Sequence, residues 1–223
     1  MSFFQTLTAA TAGEQRALFA VPQITDGLAG AISRETYLAY LAQAYHHVRH
    51  TVPLMRLAQG RMDRAHSHFR RALDDYIAEE TGHEHWILSD IDNAGGDSEA
   101  AAAAGASPAT AAMVAYAYDS VGKDNPMGLF GMIYALEGTS IALASHGASA
   151  LAGALGLGPE CFRYLTSHGA LDQDHMVFFQ GLMETVDDPA DQAAIIAVAR
   201  RIFVLFGELF RTIPHDRSLS HAL

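Results

Sequence analysis

Apolar residues recur at spacings of three and four along almost the whole chain, and no segment shows the alternation typical of a half-buried strand. This pattern predicts an all-α protein with about seven helices. Predicted helices cover about 3–19, 66–91, 108–121, the stretch from Pro126 to 155, 159–166 (a short helix), 168–185 and 189–212. A further long helix precedes 66–91; Ser33 caps it, and Pro53 is expected to kink or interrupt it.

The most apolar stretch runs from Met127 to Ala144 and carries one charged residue, Glu137, near its middle. Its length would allow a membrane span, but a central carboxylate is costly in a bilayer and no basic residues flank the stretch closely. We therefore expect a central helix that other helices surround, because such a helix is apolar on all sides.

The alanine- and glycine-rich stretch 94–107 is predicted to be a mobile loop, in which the alanine run could form a helical turn. Residues 214–223 are predicted to be a loose tail. No internal repeat, charge block or linker divides the chain, so residues 1–223 are predicted to form a single domain.

Composition narrows the classes of function. The 223 residues include 25 acidic and 14 basic side chains, a net charge of −11. This balance argues against nucleic-acid binding, which needs a basic surface. The single cysteine excludes a disulfide framework and a cysteine-based zinc site. The N-terminal residues predict no signal peptide, and together with the absence of a predicted membrane span they favour the cytoplasm.

Histidine is abundant, with 12 residues against a single lysine. His168, Asp172 and His175 lie at offsets of zero, four and seven in one predicted helix, so they share a face. Two imidazoles and a carboxylate suit iron, manganese or zinc, and iron is favoured where coordination positions stay open. A solvent-facing polar stripe is the alternative interpretation.

Glu80 and His83 form an isolated Glu-x-x-His pair, which predicts a second pair of ligands on one helix face. Exposed helices carry many such pairs, so the motif alone is a weak signal. His85 points to nearly the opposite side of the helix and is predicted to be a surface residue.

Glu137 must be neutralised, hydrogen-bonded or bound to a cation, because its surroundings are apolar. A protonated or hydroxyl-paired glutamate is one possibility, and a metal-bridging carboxylate is the other. A further group on the long second helix, His46, His47 and His50, could supply an extra ligand, orient substrate or lie at a subunit contact.

Together these candidates give three imidazoles and three carboxylates, a set suited to two metal ions rather than one. The set is Glu80, His83, Glu137, His168, Asp172 and His175. Ferritin-like diiron bundles carry two Glu-x-x-His motifs, and this chain has one, so that family does not match.

The order Glu-x-x-His, isolated glutamate in an apolar helix, and His-x3-Asp-x2-His resembles the heme-oxygenase-like diiron oxidases and oxygenases of the TenA- and PqqC-like superfamily. The stretches that carry the resemblance are Tyr45-His46-His47-Val48-Arg49-His50-Thr51, Glu79-Glu80-Thr81-Gly82-His83 with Trp86, Leu136-Glu137-Gly138-Thr139-Ser140, and Ser167-His168-Gly169-Ala170-Leu171-Asp172-Gln173-Asp174-His175. The resemblance covers most of the chain and implies a heme-oxygenase-like helical bundle.

Family members bind two irons between helices and use dioxygen to oxidise small organic acids, amino acids or similar substrates. The resemblance supports the six residues above as iron ligands, with manganese as a possible replacement. Where several members have a further acidic ligand, this chain offers His46 or His47, and Tyr76 stands near another such position. The resemblance therefore implies either a mononuclear site or a weakly loaded second metal site. His50 and Glu79 are further candidate ligands or substrate contacts.

Helical phase and the same resemblance predict an apolar substrate pocket formed by Phe130, Tyr134, Phe178 and Phe179. The expected partners are a small-molecule substrate and dioxygen, with no nucleic acid and no membrane. The apolar helix faces favour a homodimer.

Two alternatives use the same fold. A TenA-like hydrolase of aminopyrimidine substrates would need a cysteine nucleophile, and the only candidate is Cys161 at a predicted helix start, more readily interpreted as structural. A non-catalytic small-molecule-binding protein would instead hydrogen-bond His168, Asp172 and His175 to one another.

Overall fold

The computed structural model describes residues 1–215, apart from the side chains of residues 168–175 within one helix. The described residues form eleven α-helices, one short 3-10 helix and no strand, which confirms the all-α prediction with more and shorter helices than expected. The helices are α1 (Phe3–Phe19), α2 (Pro22–Leu28), α3 (Arg34–Val48), α4 (Thr51–Arg61), α5 (Ser67–Glu80), α6 (His83–Asn93), α7 (Ser98–Ala104), α8 (Pro108–Lys123), α9 (Gly128–Leu155), α10 (Arg163–Met183) and α11 (Pro189–Thr212), with the 3-10 helix at Pro159–Cys161.

Several helix ends lie where the local chemistry predicts them. The hydroxyls of Ser33 and Ser107 accept hydrogen bonds from the backbone N–H groups at the starts of α3 and α8, and the Asp188 carboxylate does the same for α11. The predicted long second helix is interrupted, because α3 ends at Val48 and Pro53 occupies the first turn of α4, where no intrahelical donor is required.

The predicted continuous helix over 66–91 is wrong at one point. Gly82 has a φ of +96°, a backbone conformation that favours glycine, and it separates α5 from α6. Glu80 therefore ends one helix and His83 begins the next. Periodicity missed the break because the apolar pattern continues on both sides of it.

The prediction of a mobile loop over 94–107 is also corrected, because the alanine run forms α7. The Asp97 carboxylate accepts a hydrogen bond from the backbone N–H of Ala100 at the start of this helix, and α7 packs against α3 and α6. The start of the predicted loose tail also contacts the fold, because His215 Nε2 lies 2.7 Å from a carboxylate oxygen of Asp26. Residues 216–223 lie outside the described residues.

Helix α9 lies at the centre and packs most extensively against α11 and α10. A side chain at Gly131 would overlap the backbone carbonyl of Ile195 on α11, so this glycine permits close approach of the two helices. Within the described chain, α9 is the one helix long and apolar enough to cross a membrane, with a mean hydropathy of 1.2, yet 61% of that window is buried inside the fold. The burial agrees with the prediction of a central helix.

Helix α10 is attached to α6 through the fully buried carboxylate of Asp90. This carboxylate accepts hydrogen bonds from the backbone N–H groups of Arg163 (3.1 Å) and Tyr164 (2.8 Å), the first two residues of α10. Burial raises the pKa of Asp90 to about 6, although the two N–H donors act in the opposite direction. The carboxylate therefore fixes where α10 begins relative to α6.

His66 connects three parts of the fold. Its Nδ1 lies 2.8 Å from an oxygen of Asp63, and its Nε2 lies 2.9 Å from an oxygen of Asp191 in the first turn of α11. The amide of Asn125, just before α9, donates to the other Asp191 oxygen at 2.7 Å. Burial alone would lower the pKa of His66, but the hydrogen bonds with Asp191 and Asp63 outweigh it and raise the pKa.

We expect His66→Gln to remove part of the pH dependence of stability. Because the folded-state pKa is raised, the protonated His66 stabilises the fold fully below its unfolded pKa of about 6.5, and this contribution is lost as pH rises through the folded value. Urea unfolding should show a loss of about 1–2 kcal/mol at pH 6 and a smaller loss at pH 8.5. The exposed control His85→Gln should change neither value, and equal losses at both pH values would contradict the assignment.

We expect Asp90→Ala to destabilise the protein by about 3 kcal/mol, because two backbone N–H groups at the start of α10 lose their acceptor. Asp90→Asn keeps one acceptor oxygen and should cost less. Ser89→Ala, an exposed change on the same helix, serves as the control for chemical denaturation. A loss under about 0.5 kcal/mol for Asp90→Ala, the range of ordinary surface substitutions, would show that this carboxylate does not hold α10.

Candidate functional site

The Glu80–His83 pair is formed in the structure, although the two residues belong to different helices. His83 Nδ1 lies 3.1 Å from Glu80 Oε2, and both side chains are buried. The turn at Gly82 brings the last residue of α5 beside the first residue of α6. The predicted pairing is thus observed, through a helix break rather than through the spacing of one helix.

Glu137 faces the same internal space from the middle of α9. Glu80 and Glu137 keep 6% and 9% of their surface exposed, and both line one cavity together with His47 of α3. Two carboxylates and an imidazole from three helices therefore border a shared cavity. Buried ionised carboxylates need cationic or hydrogen-bonding partners, which makes this end of the cavity the chemically distinctive part of the fold.

The cavity has a volume of about 180 Å³ and lies between α2, α3, α9 and α11. Apolar residues form most of its wall, including Leu129, Met132, Ile133, Leu136 and Leu143 from α9. It is a partly open, mainly apolar space that also has a few polar side chains in its wall, as is typical of a small-molecule site.

A chain of aromatic rings lines one wall of this cavity and leads to His47. Tyr40 stacks on Phe210 with 5.5 Å between ring centroids, and Tyr37 lies 6.5 Å from Tyr40 in a stacked arrangement. Phe206 contacts Phe210 edge-on at 4.9 Å and His47 edge-on at 5.6 Å. Offset and edge-to-face contacts of this kind stabilise a rigid wall.

The aromatic residues predicted for the pocket do not line this cavity. Phe130, Tyr134 and Phe179 are buried in the main core, and Phe178 is 47% exposed on α10. Helical phase identified the burial of Phe130, Tyr134 and Phe179 but not the exposure of Phe178, and it could not distinguish the packed core from the edge of a cavity.

The structure separates the three candidate histidines at the end of α3 and the start of α4. His47 is buried and lines the cavity, whereas His46 Nε2 lies 3.0 Å from the backbone carbonyl of Ala101. His50 Nδ1 lies 3.1 Å from the Tyr118 hydroxyl on α8, away from the cavity. Of these three candidates, His47 is the one placed to act at the site.

Two further candidates near Glu80, Glu79 and Tyr76, do not line the cavity. Glu79 is exposed, and Tyr76 is buried with its ring centroid 6.0 Å from that of Phe178. His85 has a side chain that is 75% exposed, which confirms the prediction of a surface residue.

The side chains of His168, Asp172 and His175 lie outside the described residues, so their predicted role as ligands remains a prediction. The backbone of this segment belongs to α10, which packs against α9 and α6. A Cβ added to Gly138, next to Glu137, would lie 3.9 Å from the end of the Met176 side chain. Helix α10 therefore lies beside the helices that carry Glu137 and His83.

A stack of three side chains that the sequence did not suggest supports His83. The His83 ring stacks on the Trp86 ring, with the two ring centroids 4.0 Å apart. The guanidinium of Arg163 also contacts the Trp86 ring and lies 4.7 Å from its centroid. This stack joins α6 to the start of α10, beside the Asp90 hydrogen bonds. The i, i+3 spacing of His83 and Trp86 places both residues on one helix face, and this spacing is the feature of the sequence that could have predicted their contact.

The carboxylates and imidazoles at this site are side chains of the types that bind iron. Two carboxylates and two imidazoles (Glu80, Glu137, His47 and His83) are buried at or beside the cavity, and mixed nitrogen and oxygen donors are preferred by iron and manganese. Among the side chains that the structure describes, no three His, Cys, Asp or Glu residues are grouped closely enough to hold a metal ion. A complete site would therefore need the donors predicted on α10.

Cys161 lies in the 3-10 helix before α10 and does not line the cavity. Burial raises the pKa of its thiol, and the nearby carboxylates of Glu160 and Asp90 raise it further. The Cys161 backbone carbonyl accepts a hydrogen bond from the Tyr37 hydroxyl at 2.7 Å. These properties are those of a structural cysteine rather than of a reactive thiolate.

Solved structures share this fold at low sequence identity. A domain of unknown function with a heme oxygenase-like fold from Shewanella denitrificans matches with a TM-score of 0.85 and 22% identity, over 96% of this chain and 92% of that one. A TenA homologue from Pseudomonas syringae gives 0.80 and 13% over 94% and 91%. Heme oxygenase-1 from Synechocystis in complex with heme gives 0.74 and 14% over 95% and 91%.

No curated protein sequence matches the chain. A family model described as iron-containing redox enzyme matches residues 38–206, which include His47, Glu80, His83, Glu137 and the candidate ligands of α10. The matched region covers most of the chain and all of the candidate ligands. The protein therefore belongs to the family of iron-containing redox enzymes, and it has a heme-oxygenase-like all-α fold.

Proposed function

We propose that the protein is a non-heme diiron oxidase or oxygenase that activates dioxygen on a small organic substrate. The observation that carries the proposal is the pair of buried carboxylates, Glu80 and Glu137, that border one cavity in a family of iron-containing redox enzymes. The proposed iron ligands are Glu80, His83, Glu137, His168, Asp172 and His175.

The described residues support this assignment from three directions. Glu80 and His83 form a buried pair 3.1 Å apart, and Glu137 faces the same cavity from α9. Helix α10, which carries the remaining ligands, packs against both α6 and α9. Divalent cations would compensate the carboxylate charge at this buried position.

The six proposed ligands would hold ferrous iron, which would supply electrons for the reduction of dioxygen. The chain's own residues hold the ligands in place. Stacking on Trp86 orients the His83 ring, and apolar side chains of α9 form much of the cavity wall. His47 is placed to orient the substrate, or to act as a neutral ligand where relatives have a carboxylate.

A neutral imidazole in place of a carboxylate lowers the negative charge around the second iron. We therefore propose that the second iron binds more weakly than the first, and that manganese can replace iron because both accept the same donors. We also propose that the protein acts in the cytoplasm as a homodimer, for which the exposed Val177 and Phe178 on α10 supply an apolar contact.

A TenA-like hydrolase of aminopyrimidine substrates and a non-catalytic binding protein are the alternatives on the same fold. The hydrolase requires a reactive thiolate beside the substrate, whereas Cys161 is buried, has a raised pKa and does not line the cavity. The position and the raised pKa of Cys161 therefore favour an oxidase over the hydrolase.

The metal assignment is tested by anaerobic loading with ferrous iron. We expect about two irons per chain in the wild-type protein, and a transient visible absorption when oxygen is admitted. His83→Gln should lower the content to about one iron or fewer, because an imidazole ligand is lost. His85→Gln, two residues away and exposed, is the matched control and should bind iron like the wild type.

The absence of tight iron binding together with the absence of any visible absorption would remove the oxidase proposal. Equal iron contents in His83→Gln and His85→Gln would exclude His83 as a ligand.

The Cys161→Ala variant separates the oxidase from the hydrolase. Because the thiol lies away from the cavity, we expect its removal to leave the iron content and the oxygen-dependent absorption unchanged. Turnover of an aminopyrimidine substrate by metal-free protein, with loss of that turnover in Cys161→Ala, would support the hydrolase instead.

A further inference from the structure

We propose that Arg163 is a positioning residue for the proposed iron ligand His83, and that it acts through the indole ring of Trp86. The inference rests on the proposed function, because it treats His83 as a metal ligand. Arg163 does not line the cavity. The inference therefore makes metal affinity depend on a side chain outside the site, at the start of α10.

The first argument is that the ring plane of His83 is fixed by its surroundings. Rotation about the bond between Cβ and the ring is soft for histidine and tryptophan alike, so rotamer preference alone does not set the ring plane. His83 begins α6 and stacks on Trp86, with the ring centroids 4.0 Å apart and 27° between the planes. The indole therefore restricts the imidazole to orientations close to parallel with its own plane.

The second argument is that Arg163 restricts the indole in the same way. Trp86 is only partly buried, so burial alone does not fix its ring. The guanidinium of Arg163 lies over this ring, 4.7 Å from the centroid, which is within the range of a cation–π contact. Arginine stays charged in proteins and its planar group stacks on aromatic faces, so the contact persists across the pH range of the fold.

The third argument is that the backbone of Arg163 is itself held in place. Its N–H donates to the buried carboxylate of Asp90 at 3.1 Å. His83, Trp86 and Asp90 follow one another on α6 at intervals of three and four residues, so they share a helix face. The first residue of α10 thus reaches this face twice, through its backbone at Asp90 and through its side chain at Trp86.

A change at Arg163 should therefore alter metal affinity while every proposed ligand stays in the chain. Replacing a partner that orients a metal-bound imidazole commonly lowers metal affinity by about 10- to 100-fold. Arg163 is exposed and acts through a second side chain, so we expect a smaller loss, of at least about threefold.

Anaerobic equilibrium dialysis of the full-length protein against ferrous iron tests the proposal without any turnover. We expect Arg163→Gln to raise the free iron concentration needed for half-loading by at least about threefold. Arg163→Lys keeps the positive charge and should lie closer to the wild type. The exposed control Arg201→Gln on α11 should load like the wild type. A smaller increase in Arg163→Gln, or equal values for Arg163→Gln and Arg163→Lys, would overturn the proposal.

Glutamine at position 163 leaves the attachment of α10 intact. The hydrogen bond to Asp90 comes from the backbone N–H of residue 163, which every substitution except proline retains. A fall in iron affinity in Arg163→Gln therefore reports on the loss of the guanidinium.

A double-mutant cycle shows whether Arg163 acts through Trp86. Trp86→Leu should weaken iron binding by itself, because His83 loses its stacking partner. Arg163→Gln should then add nothing in the Trp86→Leu protein, since the ring that transmits its effect is absent. An equal effect of Arg163→Gln with and without the indole would contradict the proposal. If circular dichroism shows that Trp86→Leu does not fold, the comparison of the variants at 163 and 201 decides alone.

The fluorescence of Trp86 separates failure of this inference from failure of the iron assignment. Trp86 is the single tryptophan of the chain, and iron bound to His83 should quench its fluorescence because the two rings are stacked. A wild-type protein that binds no iron loses the proposed function and the positioning role together. A wild type that binds iron with quenching, beside an Arg163→Gln protein that binds it equally well, keeps the proposed function and loses only the positioning role.

Discussion

The burial of carboxylate charge among apolar helices is the constraint on which the candidate site depends. Glu137 lies in the middle of the most apolar helix of the chain, and Glu80 reaches the same cavity from the end of α5. Ionised carboxylates are stable in such surroundings only with cationic or hydrogen-bonding partners. The pairing of Glu80 with His83 is one response to this requirement, and the proposed binding of iron would be a second.

The position of α10 connects the stability of the fold to the site. Asp90 holds the first turn of α10, and Arg163 from that turn lies over Trp86, which stacks on His83. One end of α10 is thus attached directly to the support of a candidate ligand. The buried Asp90 carboxylate is destabilised by desolvation, and its two backbone hydrogen bonds offset part of that cost.

Carboxylates and His47 border the cavity on which the proposed function rests, and the stacked rings of Tyr40 and Phe210 line it as well. The rings belong to α3 and α11, whereas Glu80 and Glu137 belong to α5 and α9. Side chains from four helices thus meet at one cavity, so its lining depends on how the helices pack together.

The sequence by itself determined the helical class and most helix ends, because periodicity and capping are local properties. It also predicted the pairing of Glu80 with His83, which the structure shows, and the central position of the helix that carries Glu137. Only the tertiary structure decided that Gly82 divides the predicted helix and that His47, rather than its neighbours, faces the cavity. These features depend on contacts between helices distant in sequence, and such contacts leave no periodic signal within a single helix.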